Sequence, residues 1–106
     1  VFRAMEGVIP ERLSAGGPAT SGLLAFAEPL PDSSWRMLYE VHGGGEGARH
    51  DRDGCPATRV HLANTSNTPA EMIEANYAIR VEKQAIRRGS GGRGLHRGGD
   101  GVVRAY

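Results

Sequence analysis

The chain has 106 residues, a formal net charge of +1, an apolar share of 39% and an aromatic share of 6%. This length corresponds to one small domain, and the near-zero net charge excludes a global attraction to nucleic acid or membranes. The single cysteine, Cys55, excludes an internal disulfide and predicts a reducing, cytoplasmic location. The sequence has no run of roughly 18 apolar residues, which a membrane helix would need.

The ends of the chain suggest a piece of a longer polypeptide. The sequence begins at Val1 without an initiator methionine and stops at Tyr106, within a strand-like apolar run. Its 16 glycines and 6 prolines predict a loop-rich fold with a thin core. We therefore expect residues 1–106 to be a fragment of a longer polypeptide that packs against more protein.

The first part of the chain predicts a short helix and two strands. Residues 5–13 favour a helix, residues 14–21 form a loop of small side chains, and residues 23–26 are a short apolar run. In residues 35–42 apolar and more polar side chains alternate, and a period of two predicts a strand with one apolar face. That face consists of Trp35, Met37, Tyr39 and Val41.

A glycine-rich run, residues 43–48 (GGGEGA), ends this strand. Bare backbone N–H groups in such a run can bind phosphate, but no Gly-Lys-Ser/Thr follows and no helix opens behind it. A tight turn that needs positive φ is the favoured interpretation. Polar residues 49–54 extend the loop, and residues 58–62 form another short candidate strand.

The clearest local signal is a helix start at Thr68-Pro69-Ala70-Glu71. The order predicts a capping box, in which Thr68 accepts from the backbone N–H of Glu71 and Glu71 reaches back to the threonine. Pro69 suits the first helical position, where its missing N–H is not needed. A helix over residues 69–77 follows, with three side chains expected to be buried: Met72, Ile73 and Tyr77.

The last part of the chain predicts two further strands around a second glycine-rich loop. Residues 78–87 alternate again, residues 90–101 hold six glycines in twelve positions, and residues 102–106 resume a strand. The predicted fold is α+β and mostly β, with short strands, one capped helix and two glycine-rich loops.

Two groups of residues have the chemistry of metal ligands but not the spacing that a metal site requires. Four side chains have the chemistry of zinc ligands, but their spacing matches no structural zinc pattern: His42, His50, Cys55 and His61. Residues 51–54 (DRDG) resemble the start of a calcium loop but lack its later acidic ligands. We therefore expect no metal site within this chain.

Polar residues near the predicted helix start are candidates for binding. Asn64, Thr65 and Asn67 precede the helix, where short polar side chains can bind a carboxylate or a carbonyl, although a connecting turn explains them as well. Glu71 and Glu74 lie three residues apart and share a helix face, so they can act as paired carboxylates. The capping box already accounts for Glu71, which weakens that hypothesis.

Several ordered stretches together resemble the C-terminal part of the hydantoinase B/5-oxoprolinase family. The longest are residues 64–82 (NTSNTPAEMIEANYAIRVE) and 90–104 (SGGRGLHRGGDGVVR), and shorter ones include Tyr39-Glu40 and the run 43–48. The chain departs from the family pattern at Ala78, where proline is usual, at residues 88–89, and at Asp100, where an apolar residue is typical.

The resemblance implies that residues 1–106 are a fragment of the C-terminal region of a B-type subunit, a larger, multi-domain parent several times longer than this chain. In such enzymes an A-type subunit or domain binds ATP and phosphorylates a carbonyl oxygen of the substrate. The B-type part then completes the opening of a cyclic amide, 5-oxoproline or a hydantoin, with water. Any divalent metal and the catalytic residues are expected outside this chain, and the glycine-rich loops are expected to be shaped turns or pocket walls.

The resemblance and the polar cluster together make four residues the candidates for substrate binding: Asn64, Asn67, Glu71 and Glu74. Two alternatives stay open. Related enzymes use the same architecture to carboxylate ketones. The chain could instead be a non-catalytic assembly module, because residues 80–106 carry seven basic and two acidic side chains that could dock on an acidic neighbour.

Overall fold

A computed structural model describes residues 2–18, 22–61 and 65–106. Two helices and four strands follow each other along the chain, with a 3-10 turn at Pro10–Arg12: α1 (Phe2–Met5), β1 (Gly22–Pro29), β2 (Trp35–His42), α2 (Ala70–Asn76), β3 (Lys83–Arg87) and β4 (Gly101–Ala105). The strands form two separate antiparallel pairs, β1–β2 and β3–β4. The α+β, mostly β prediction is confirmed. Within the described residues, no helix has the length and apolar character needed to cross a membrane.

The β1–β2 hairpin is the longest regular element. All eight residues of each strand pair, from Gly22 opposite His42 to Pro29 opposite Trp35. The turn is closed by the Asp32 carboxylate, which accepts from the backbone N–H of Ser34 at 3.0 Å. Hydrogen bonds from Ser34 hold the pKa of Asp32 below its ordinary value. The strand predicted over residues 35–42 is thus confirmed, and the run at 23–26 extends further in both directions.

The two faces of β2 differ in exposure, and the apolar face is the exposed one. The apolar face points outward, because Trp35 is 65% exposed, Met37 62% and Tyr39 63%. The opposite face holds Leu38 and Glu40, which are buried. A buried carboxylate is tolerated only when it is paired with hydrogen-bond or charge partners. The partners of Glu40 therefore determine that this face of the hairpin, and not the apolar one, is buried.

Helix α2 forms where the sequence predicts it, but the predicted capping box is wrong. The helix begins at Ala70, and within the described residues no side chain caps it. Thr68 instead donates its backbone N–H to the Glu40 carboxylate at 3.2 Å. Ile73 is fully buried as expected, whereas Met72 is exposed. A tertiary contact to β2 therefore replaces the local cap.

Three predicted boundaries differ from the structure. The helix expected over residues 5–13 is replaced by α1 and the 3-10 turn, since Gly7 lies between the two elements and Pro10 begins the turn. Residues 58–61 are not a strand, and Leu62 lies outside the described residues. The strand expected over 78–87 is confined to β3, because only this part pairs with β4.

The glycine-rich loops confirm the predicted irregular structure but not its predicted reason. Among the described glycines, Gly89 alone has a left-handed backbone, with φ of 80°. Gly45 is required for close packing instead, because a Cβ there would lie 1.8 Å from the Gly99 carbonyl oxygen. Gly99 is equally constrained, since its Cβ would lie 2.0 Å from the carbonyl oxygen of Cys55. The two loops therefore pack backbone against backbone.

The molecule is elongated and has a small core. Its principal extents are 58 × 27 × 16 Å and its radius of gyration is 17.2 Å. A compact chain of this length has a radius of gyration of about 13 Å. Among the described residues, the buried apolar side chains are Leu38 and Ile73. Polar contacts between the hairpins and loops therefore contribute much of what holds this arrangement together.

Candidate functional site

A buried ion pair joins β2, β4 and the start of α2. The side chains of Glu40 and Arg104 are 1% and 4% exposed, and one guanidinium nitrogen of Arg104 donates to the carboxylate. The other terminal nitrogen donates to the Thr68 carbonyl oxygen at 2.6 Å. Both groups of the Thr68 peptide backbone are thus used, since its N–H donates to Glu40. This pairing offsets the desolvation of the two charges.

Tyr106 completes the network from just beyond β4. Its hydroxyl donates to the second carboxylate oxygen of Glu40. Burial, followed by this hydrogen bond and the charge of Glu40, raises the pKa of Tyr106 to about 12. The ring lies edge-on to Phe26, with centroids 5.5 Å apart. Tyr106 therefore keeps its proton at neutral pH and acts as a fixed hydrogen-bond donor.

A groove of about 890 Å³ opens beside this network. The two glycine-rich loops form its walls, and it is lined by five basic or imidazole side chains: His42, Arg87, Arg93, His96 and Arg104. Among its described lining residues, Glu46 is the acidic one. The lining therefore carries an excess of positive charge.

The negative charge of Glu46 is already matched. One of its carboxylate oxygens accepts from Nε and Nη2 of Arg49, at 3.0 and 2.9 Å, and the other accepts from the backbone N–H of Cys55 at 3.3 Å. The Arg49 hydrogen bonds, then that from Cys55, hold the pKa of Glu46 below its ordinary value. Glu46 thus stays ionised and fixes the first glycine-rich loop, and it does not neutralise the groove.

The second wall is shaped by Asp100, one of the positions where the chain departs from the family pattern. Its carboxylate accepts from the backbone N–H groups of Gly91 and Gly89, at 2.8 and 3.0 Å, and these bonds lower its pKa. The Ser90 hydroxyl also stabilises this loop. It donates to the Arg87 carbonyl and accepts from the backbone N–H of Gly101. An acidic residue therefore suits this loop better than an apolar one.

Of the four predicted binding residues, the structure describes three, Asn67, Glu71 and Glu74, and these three do not line the groove. Asn64 lies outside the described residues. Asn67 is half-buried and Glu71 is exposed, while Glu74 is exposed and accepts from the backbone N–H of Val81 at 2.9 Å. Within the described part of the chain, Asn67, Glu71 and Glu74 are not among the groove-lining residues. The residues that gather at the groove are different ones.

Two buried nitrogen atoms near the groove lack a hydrogen-bond partner among the described residues. They are Nδ1 of His42 and Nε of Arg104. The His42 ring and the Arg104 guanidinium carbon lie 6.3 and 5.8 Å from the centroid of the Tyr106 ring. The sequence did contain a signal for this cluster, since Tyr39-Glu40 and Val103-Arg104 both lie in the stretches that carry the family resemblance.

The described residues do not provide the ligands of a metal. Within residues 2–18, 22–61 and 65–106, no three or more histidine, cysteine or acidic side chains gather as a metal site would require. A metal that the family implies therefore does not fit the described residues of this chain.

Two antiparallel strand pairs and two glycine-rich loops thus surround a groove whose described lining holds more basic than acidic side chains. The family described as Hydantoinase B/oxoprolinase matches the chain over residues 1–106. The chain therefore belongs to the hydantoinase B/oxoprolinase family. No solved structure matches it.

Curated relatives carry names from the same family. The chain is 53% identical over 65 residues to 5-oxoprolinase PfmaA of Pestalotiopsis fici and 42% identical over 66 residues to 5-oxoprolinase 1 of Arabidopsis thaliana. These matches cover 61% and 62% of this chain and 5% of each relative. The putative B-type subunit of a D-/L-hydantoinase from Pseudomonas sp. is 32% identical over 104 residues, which is 98% of this chain and 17% of that relative. The chain thus spans a small part of each relative.

Proposed function

We propose that this chain is part of an ATP-dependent hydrolase that opens a cyclic amide such as 5-oxoproline or a hydantoin. The observation that carries the proposal is the family match over all 106 residues, together with relatives named as 5-oxoprolinases and as a hydantoinase subunit. In this proposal the chain belongs to the B-type part of the enzyme. The B-type part receives an activated substrate and completes ring opening with water in the cytoplasm.

Activation by ATP has a clear chemical reason. A lactam carbonyl is a poor electrophile. Phosphorylation of its oxygen lets water add to the carbonyl carbon, the ring C–N bond then breaks with protonation of the nitrogen, and a second water displaces phosphate from the acyl phosphate that remains. We assign ATP binding to an A-type partner subunit or domain, and any divalent metal to residues outside this chain. The relative named as one subunit of a hydantoinase supports an enzyme assembled from more than one part.

The exposed apolar face of β1–β2 supports a position inside a larger assembly. Trp35, Met37 and Tyr39 lie side by side on one face of β2, and the β1 partners opposite them are Pro29, Ala27 and Ala25. Soluble proteins seldom leave such a contiguous apolar strip in water. This face is also the observation that favours the alternative of an assembly module.

The hydrolase proposal is tested with the complete protein that carries this chain and its A-type companion. We expect 5-oxoproline or hydantoin to be opened only when ATP is present, with phosphate released in step with the ring-opened product. Product is measured by chromatography, and phosphate is measured in the same samples. Uptake of labelled bicarbonate into a ketone would instead identify a carboxylase. No turnover of either kind, with assembly intact, would favour the assembly module.

We further propose that Asn64, Asn67, Glu71 and Glu74 contact the substrate or support its binding in the complete enzyme. In support, the Glu71 side chain is exposed, and Asn67 lies three residues before the helix start at Ala70. Replacing Asn67 or Glu71 by alanine is expected to lower kcat/KM by roughly tenfold, the effect of one lost hydrogen bond. Unfolding free energy is expected to change by no more than about 0.5 kcal/mol.

Glu74 needs a separate variant, because its carboxylate accepts from the backbone N–H of Val81. Glu74→Gln keeps an acceptor for that bond, so a loss of activity would report on the charge alone. Glu11→Ala, at another exposed glutamate, is the control. Parallel losses of activity and melting temperature in the Asn67 and Glu71 variants would show that these residues are structural.

A further inference from the structure

We propose that the groove between the two glycine-rich loops is a binding site for a small carboxylate, held by His42 and Arg104. The inference rests on the proposed function, because the carboxylate would belong to the cyclic amide or to its ring-opened product. It names other residues than Asn64, Asn67, Glu71 and Glu74.

The first argument is the state of the hydrogen-bonding atoms. Arg104 uses its two terminal nitrogens on Glu40 and Thr68, which leaves Nε buried without a partner among the described residues. Nδ1 of His42 is also buried without a hydrogen-bond partner among the described residues. A buried donor without an acceptor destabilises a fold by about 1–3 kcal/mol, so an acceptor at this place is favoured. A carboxylate supplies two acceptor oxygens, one for Nε of Arg104 and one for Nδ1 of His42 in the tautomer that carries its proton on Nδ1.

The second argument is the charge of the lining. Arg87 and Arg93 add positive charge at the groove, and the Glu46 carboxylate is held by Arg49. The Glu40 carboxylate is enclosed by Arg104, Tyr106 and Thr68, so it is not free to repel an anion. A volume of about 890 Å³ is ample for a five-membered ring bearing a carboxylate.

The third argument selects a carboxylate over a phosphate. Phosphate sites in proteins combine a series of converging backbone N–H groups with a helix N-terminus. Here the backbone N–H groups of Gly89 and Gly91 are used by Asp100, and that of Gly99 donates to the Glu46 carbonyl oxygen. The two buried side-chain nitrogens without a partner among the described residues, in contrast, can each donate to one oxygen of a planar carboxylate.

Binding is tested on the complete protein without ATP, by titration calorimetry. The probes are 5-oxoproline, the neutral lactam 2-pyrrolidone, which has the same ring without the carboxylate, and inorganic phosphate. We expect 5-oxoproline to bind at least about tenfold more tightly than 2-pyrrolidone, as one charge-assisted hydrogen bond would give. Equal binding of the two lactams, or tighter binding of phosphate, would overturn the proposal.

Two variants place the probe in this groove. His42→Leu removes the nitrogen donor and is expected to weaken 5-oxoproline binding by about tenfold, whereas His42→Asn can present an amide near the Nδ1 position and restore part of it. Gly92→Ala adds a methyl to a lining residue at a place with no atom within 4 Å, so the fold should persist while the groove narrows. Gly7→Ala also meets no atom within 4 Å but lies away from this groove, and it is the matched control.

The outcomes separate this site from the proposed function. Full affinity in both His42→Leu and Gly92→Ala would overturn the site, even if ATP-dependent hydrolysis is observed. Selective carboxylate binding that these variants weaken, in a protein that opens no cyclic amide, would uphold the site and refute the hydrolase proposal.

Discussion

Glu40→Gln is expected to destabilise the protein by about 3–5 kcal/mol, because it leaves the guanidinium of Arg104 buried without its counter-charge. The side chains of this pair are 1% and 4% exposed, so water cannot replace the lost partner. The same carboxylate accepts from Thr68, so the start of α2 should loosen as well. Amide hydrogen exchange over residues 65–77 and 101–106 of the complete protein, together with thermal unfolding, measures both effects.

The matched control is Glu28→Gln on the neighbouring strand. Glu28 also pairs with an arginine, Arg36, at 3.5 Å, but these side chains are 23% and 47% exposed. Exposed pairs contribute about 0–1 kcal/mol, so this variant should be nearly neutral. A double-mutant cycle of Glu40→Gln with Arg104→Met should also give a coupling energy of at least about 1 kcal/mol. Equal small effects at Glu40 and Glu28 would contradict the structural role of the buried pair.

Gly45→Ala is expected to prevent the two glycine-rich loops from packing. The added Cβ would lie 1.8 Å from the Gly99 carbonyl oxygen, and a backbone atom cannot move aside as a flexible side chain can. Ordinary overpacking lowers the free energy of unfolding by about 1–3 kcal/mol, and the loss in this variant should be larger. Because the loops form the groove walls, binding of 5-oxoproline should be lost together with stability. Thermal unfolding and calorimetry of the complete protein measure the two losses.

Gly16→Ala separates this clash from the general effect of replacing a loop glycine. Gly16 also lines the groove, but a Cβ there meets no atom within 4 Å. Its stability should stay within about 0.5 kcal/mol of the unchanged protein. A Gly45→Ala variant as stable as Gly16→Ala would refute the close backbone contact.

The positions of the main elements could be predicted from local patterns. A period of two located β2, and the proline next to Thr68 located the start of α2 to within one residue. The family resemblance of residues 64–82 and 90–104 was also correct. These features depend on residues close together in sequence, so a single sequence contains them.

The orientation of β2 and the role of Thr68 could not be predicted in this way. An apolar face on one side of a strand usually indicates the buried side, but here the partners of Glu40 come from residues 28 to 66 positions away. The predicted capping box at Thr68 is wrong for the same reason, because Thr68 makes a tertiary contact in place of the local cap. The glycine prediction missed the close approach of Gly45 to Gly99, which depends on how two distant loops meet. Asn64, Asn67, Glu71 and Glu74 remain candidates on the resemblance and on the polar cluster near the helix start.

The Glu40–Arg104–Tyr106 network also bears on the order in which this region can fold. Glu40 is synthesised 64 residues before Arg104 and 66 before Tyr106, so its counter-charge does not yet exist while β1, β2 and α2 emerge. Closure of so long a loop is slow, since its entropic cost comes before the contacts that reward it. During translation the Glu40 carboxylate of the hairpin therefore stays in contact with water. The inner face of β2 is buried only after β4 has been synthesised.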